Sequence, residues 1–85
     1  MTTPGDEIIM YGTSWCGDTI RARRWFDSQQ IPYRYIDIEK DPQARQVVEQ
    51  INNGMRSVPT ILFPDGTILV EPSNADLAEK FKVKI

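Results

Sequence analysis

The chain has 85 residues, 40% of them hydrophobic and 26% charged, with a formal net charge of −2 at pH 7. That composition describes one ordinary soluble globular domain with a modest core, expected to span residues 1–85, and the slight acidic balance argues against a general nucleic-acid binder, which carries a basic excess. One cysteine and no histidine exclude an intramolecular disulfide framework, a Cys/His zinc site within one chain and any Cys-His or Ser-His catalytic pair. In chain order, Ile8-Ile9-Met10-Tyr11, closed by Gly12 and Thr13, reads as a strand buried on both faces. From about Cys16 to Gln29 the only glycine is Gly17 and there is no proline. Ile20, Ala22, Trp25 and Phe26 make an irregular apolar face there, so this is the first helix.

Ile31-Pro32 ends that helix, and Tyr33 to Ile38 alternates aromatic or β-branched residues with polar ones, as a second strand does. Asp41 then offers an N-cap and Pro42 a favoured first helical residue. Ala44, Val47, Val48 and Ile51 fall at helical spacing, and Asn52-Asn53-Gly54 supplies the stop. Thr60 to Phe63 and Ile68 to Val70 are two apolar runs joined by an Asp65-Gly66 turn, which predicts an antiparallel hairpin. Ser73-Asn74-Ala75-Asp76 resembles a capping box, followed by Leu77, Ala78 and Phe81 at helical spacing. The order βαβαββα predicts a four-stranded mixed sheet flanked by three helices, since βαβ crossovers give parallel strands and a hairpin adds an antiparallel pair.

This order puts Cys16 after the first strand and at the start of the first helix, the edge at which open α/β sheets bind ligands. A thiol acts as a nucleophile only as thiolate, and the unpaired N–H groups of a helix N-terminus favour that anion. Gly17 leaves room for a bulky sulfur-bearing substrate, and the Thr19 hydroxyl is placed to donate to the sulfur from one turn away. Asp18 works in the opposite sense, because a carboxylate disfavours a second anion beside it. Arg21, Arg23 and Arg24 read as a solvated helix face, and Trp25 and Phe26 as core.

The chain resembles the glutaredoxin-like proteins of the thioredoxin fold along nearly its whole length, and among them the small bacterial mycoredoxin-type members. The resemblance is carried by Tyr11-Gly12-Thr13-Ser14-Trp15-Cys16-Gly17, Ile31-Pro32-Tyr33, Asp37-Ile38, Gly54 to Thr60, Asp65-Gly66 and Pro72-Ser73. It implies a first strand in the middle of the sheet and a cis Val58–Pro59 bond facing Cys16. It also implies that the Val58 backbone pairs with the peptide-like part of a substrate, and that Trp15, Arg56, Val58, Pro59 and Ser73 contact the substrate or a small thiol. Arg56 is expected near the Cys16 pocket, where it would pair with a ligand carboxylate and offset Asp18.

Two departures from the family pattern bear on mechanism. Thr19 stands where dithiol members carry a second cysteine, so the implied chemistry uses one sulfur. Glu71-Pro72-Ser73-Asn74 stands where glutathione-using members carry a Gly-Gly-X-Asp-like loop, so mycothiol or bacillithiol is as good a candidate as glutathione. The expected activity is reduction of mixed disulfides between proteins and a low-molecular-weight thiol through the Cys16 thiolate, with a reductase or second thiol regenerating it. No resident metal, nucleic acid or membrane is expected, and the chain is expected to act as a monomer in redox homeostasis. No apolar stretch approaches the roughly 20 residues of a membrane span, and Met1 to Glu7 lacks the regions of a signal peptide, so the cytoplasm is the expected address. An alternative is an iron–sulfur carrier in which two chains each give Cys16 to one cluster and small thiols complete it, although Asp18 places a negative charge beside the anionic cluster. Another is an adaptor in which Cys16 is inert.

Overall fold

The computed structural model describes residues 7–82; the stretch Met1 to Asp6, read above for a targeting signal, lies outside them. Four strands and three helices follow in the order β1 (Ile9–Gly12), α1 (Gly17–Ser28), β2 (Arg34–Asp37), α2 (Pro42–Ile51), β3 (Thr60–Leu62), β4 (Ile68–Val70) and α3 (Asn74–Phe81). The sheet order is β2-β1-β3-β4, with β1 parallel to β2, antiparallel to β3, and β3 antiparallel to β4. The expected mixed sheet is therefore present, and β1 is one of its two inner strands.

Because successive side chains of a strand point to opposite faces, β1 feeds two cores. Met10 packs with Ala22, Trp25, Phe26, Ile61 and Leu77 on the α1 and α3 side. Tyr11 packs with Ile38, Ala44, Val48 and Val58 on the α2 side. The helix boundaries follow from local chemistry. Asp41 accepts a hydrogen bond from the Ala44 N–H with Pro42 in the first turn of α2, and Ser73 and Asp76 exchange hydrogen bonds as a full capping box on α3. Gly66, at φ +89°, supplies the left-handed residue of the β3–β4 turn, where the Phe63 N–H closes onto the Thr67 carbonyl at 2.9 Å. That turn ends β3 one residue before the predicted Phe63.

Two details differ from the sequence reading. The buried face of α1 is Thr19, Ala22, Trp25 and Phe26, whereas Ile20 is 37% exposed. The reason lies in Gly12, which belongs to β1 and pairs with Asp37 instead of ending the strand. A Cβ at Gly12 would stand 2.5 Å from Thr19 Cγ2 and 2.9 Å from its Oγ1, so the missing side chain is the space into which Thr19 packs.

Candidate active site

Cys16 leaves the sheet at the C-terminal end of β1 and is the N-cap of α1, with extended backbone (φ −76°, ψ 123°) and no side-chain capping bond. Its carbonyl accepts the Ile20 N–H at 3.0 Å, which starts the helix beneath the thiol. The free N–H groups of that first turn present the positive end of the helix dipole to the sulfur. The side chain is half-buried, and Sγ lies 3.9 Å from the Val58 carbonyl oxygen, to which the thiol donates. Val58 precedes a fully buried Pro59, and the bond between them is cis, as the resemblance implies.

The Val58 segment is held from below. The Thr60 hydroxyl donates to the Ser57 carbonyl at 2.7 Å and accepts from the Asn52 amide at 3.2 Å, while the same amide caps the end of α2 on the Val48 carbonyl. Thr60 is fully buried, so this network fixes Val58 opposite Cys16 from two elements.

Trp15, which precedes Cys16, and Val58, whose carbonyl the thiol meets, line a cleft of about 360 Å³ whose walls also include Arg56, Arg45, Glu39 and Thr13. A larger hollow of about 680 Å³ opens at the far end of the sheet, among Ile8, Ile31, Phe63 and Phe81. The smaller cleft is the one lined by Trp15 and Val58, the residue before Cys16 and the residue whose carbonyl its thiol meets. Trp15 is 71% exposed, yet its indole N–H is held by the Glu39 carboxylate. Arg56 pairs with Glu49 of α2 at 2.9 Å. Arg45 projects from the same helix into the cleft wall.

The sequence-derived candidates divide clearly. Trp15, Arg56 and Val58 meet in the cleft, with Pro59 buried behind Val58. Gly17 opens α1, and a side chain added there would meet nothing within 4 Å, so the approach to the sulfur over it is clear. Asp18 is partnered by Arg21 at 2.9 Å and not by Arg56; Arg21 also donates to the Pro72 carbonyl at 2.9 Å, tying α1 to the loop before α3. The expectation that Arg56 offsets Asp18 is thus corrected, because Arg56 is engaged across α2. Thr19 does not donate to the sulfur: its hydroxyl is fully buried against Gly12 with no hydrogen-bond partner among the described residues. Ser73 spends both its N–H and its hydroxyl on the α3 capping box and is not part of the cleft wall.

Thr13, Glu39 and Arg45 were not legible in sequence. Glu39 reaches Trp15 only because β1 and β2 run parallel and end side by side, a contact across 24 positions. Arg45 follows one residue after the buried Ala44, and only the docking of α2 decides that it faces the cleft. Thr13 carries one usable signal, being the first residue beyond β1 on the way to Cys16.

A thiol at a helix N-terminus, facing the backbone before a cis proline at the end of a central strand, defines a thioredoxin-fold thiol–disulfide oxidoreductase. The same fold recurs in the crystal structure of a thioredoxin-like protein (TM-score 0.74, 20% identity, 86% of this chain and 97% of that one). It recurs also in a structural-genomics target from X. campestris (TM-score 0.65, 16% identity, 88% and 95%). The glutaredoxin family model matches residues 8–68. A Mycobacterium tuberculosis protein named as a glutaredoxin is 37% identical over 78 residues, covering 92% of this chain and 88% of its own. Mycoredoxin 1 of Corynebacterium glutamicum is 32% identical over 75 residues, covering 88% and 92%. The chain belongs to the glutaredoxin family.

Proposed function

We propose that the protein reduces mixed disulfides between proteins and a low-molecular-weight thiol by a monothiol cycle. The observation that carries this reading is the geometry of the chain's only thiol, at the N-cap of α1 and 3.9 Å from the carbonyl of Val58, which with Trp15 lines a cleft of about 360 Å³. The Cys16 thiolate attacks the small-thiol sulfur of a protein–S–S–R substrate. The old S–S bond breaks, the protein leaves as thiolate and takes a proton from water, and Cys16–S–S–R forms. A second small thiolate then attacks the small-thiol sulfur of that disulfide, forming R–S–S–R and freeing the Cys16 thiolate, or a dithiol reductase supplies the electrons, ending as its own disulfide while the small thiol leaves reduced and the Cys16 thiolate returns.

The small thiol is a substrate of each turnover, and the cleft suits the part of it beyond the sulfur. Arg45 and Arg56 offer forked donors, Trp15 a flat apolar wall, and the Val58 backbone a partner for a peptide-like amide. Glutathione, mycothiol and bacillithiol all present such an amide or polar tail. Gly17 serves by leaving the approach open, and Asp18 acts on the thiolate only through its balance with Arg21. Ser73 serves indirectly, by fixing the α3 terminus to which Arg21 is tied. In this reading residues 1–85 act as one domain, as a monomer, in the cytoplasm; no described helix is long and apolar enough to cross a membrane.

The test is mass spectrometry of the reduced protein after exposure to the disulfide of each small thiol, alongside turnover of a protein substrate loaded with that thiol. One adduct per chain is expected, absent in Cys16→Ser, and Cys16→Ser is expected to have no turnover. Turnover retained by Cys16→Ser removes the sulfur from the mechanism.

A further inference from the structure

The most exposed large side chain beside the sulfur is also one that is tied down. Trp15 is 71% exposed and sits in the loop between β1 and α1, where an indole without a partner samples several rotamers. Its N–H is instead taken by the carboxylate of Glu39, which lies just beyond β2. Glu39 is itself in a fixed turn, its own N–H donating to the Asp37 side chain at 2.9 Å. The pair closes a bridge between the ends of the parallel strands β1 and β2, and both residues line the cleft.

The same carboxylate sets the charge of that cleft. Two cations line it, Arg45 and Arg56, but Arg56 is already paired with Glu49 at 2.9 Å. Glu39 is the negative charge in the wall, so the four groups Arg45, Arg56, Glu39 and Glu49 sum to zero. A ligand tail rich in carboxylates gains little from such a site, because Glu39 in the same wall counters the attraction of the arginines.

We propose that Glu39 is a positioning and specificity-determining residue: it fixes the Trp15 indole as one wall of the cleft, and its charge limits the entry of small thiols that carry carboxylates. The inference rests on the reading of Cys16 as the attacking thiolate, and it assigns no role in the exchange step to Glu39 itself.

Two measurements test it, one of which needs no activity. In an amide–indole nitrogen-15 correlation spectrum, with the Trp15 signal assigned by its loss in Trp15→Phe, Glu39→Ala is expected to shift the Trp15 indole N–H and speed its exchange with water. Glu39→Gln, which keeps an acceptor, is expected to hold the signal near its original position. An indole signal unmoved by Glu39→Ala overturns the positioning role. The second measurement is the rate at which Cys16 forms a mixed disulfide with glutathione disulfide, whose halves carry two carboxylates each, against bis(2-hydroxyethyl) disulfide, which has none. Glu39→Gln is expected to raise the glutathione-to-neutral rate ratio about three- to tenfold, the scale of one removed charge in a partly solvated site, the neutral disulfide correcting for any change in the reactivity of the thiol itself. A ratio unchanged in Glu39→Gln overturns the specificity role while leaving the Cys16 mechanism standing. A wild-type Cys16 that reacts with neither disulfide overturns that mechanism and this inference with it.

Discussion

At the level of single residues, the groups around Cys16 turn on how Asp18 is held. A carboxylate two residues beyond a thiolate opposes its charge, and the sequence alone offers Arg56 as the compensating cation. The ion pair actually formed is with Arg21, one turn along α1, at 2.9 Å, and both side chains remain over two-fifths exposed. Solvent therefore weakens the effect of each charge. Arg21→Gln is expected to slow alkylation of Cys16 at neutral pH by about two- to threefold, because it leaves the Asp18 carboxylate uncompensated. Adding Asp18→Asn to Arg21→Gln is expected to restore the rate. A double variant as slow as the single one would mean that Arg21 acts through its other bond, to the Pro72 carbonyl, and not through Asp18. At this scale the sequence is informative where residues lie in one short segment, as Trp15 and Cys16 do or Arg56 and Val58. It is silent on Glu39, whose partner is chosen by strand pairing.

At the level of elements, the joint between β1 and α1 decides where the sulfur sits. The helix starts and the hairpin turn were legible because Asp41, Pro42, Ser73 and Gly66 each act on the backbone locally. The inward face of α1 was not. Its apolar residues are irregularly spaced, and the choice of Thr19 over Ile20 depends on a vacancy left by Gly12 in another element. The close packing has a measurable consequence. Gly12→Ala places a Cβ 2.5 Å from Thr19 Cγ2 and 3.2 Å from the Tyr35 ring, and is expected to cost about 1–3 kcal/mol of stability as an overpacked core does. Thr19→Ala in the same chain removes both Thr19 atoms that collide and is expected to recover part of that loss. Denaturant unfolding of the two single variants and the double variant gives the coupling, and strictly additive changes would show that β1 and α1 do not meet in this way.

For the whole molecule, the topology was readable because each connection carries its own rule. The helix between β1 and β2 makes those strands parallel, and Asp65-Gly66 makes β3 and β4 antiparallel. The central place of β1 was legible in its apolar run, which suits a strand buried on both faces, and the family resemblance implied the same, although neither connection rule states which strand β3 joins. The half of the fold far from the sulfur is tied by carboxylates. Lys80 of α3 donates to Asp65 in the hairpin turn at 2.6 Å, and this bond, with those from Thr67, holds the Asp65 carboxyl well below the ordinary carboxylate range. The Ser73 backbone N–H does the same for Asp76, to a lesser degree. Both groups bind protons more weakly in the folded chain than in the unfolded one, so unfolding takes up protons in acid. Their contribution is complete above the ordinary carboxylate value of about 4 and is lost as the pH falls from there toward the lowered folded values. The urea midpoint is therefore expected to fall between pH 6 and pH 3, and to fall less steeply in a chain carrying Asp65→Asn and Asp76→Asn together. Asparagine keeps one acceptor oxygen at each site, enough for the Thr67 donors at residue 65 and the Ser73 N–H at residue 76, while it removes the charge and the oxygen that meets Lys80. Equal slopes in the variant and the parent would place the acid sensitivity of the fold in other carboxylates and separate the α3 anchor from it.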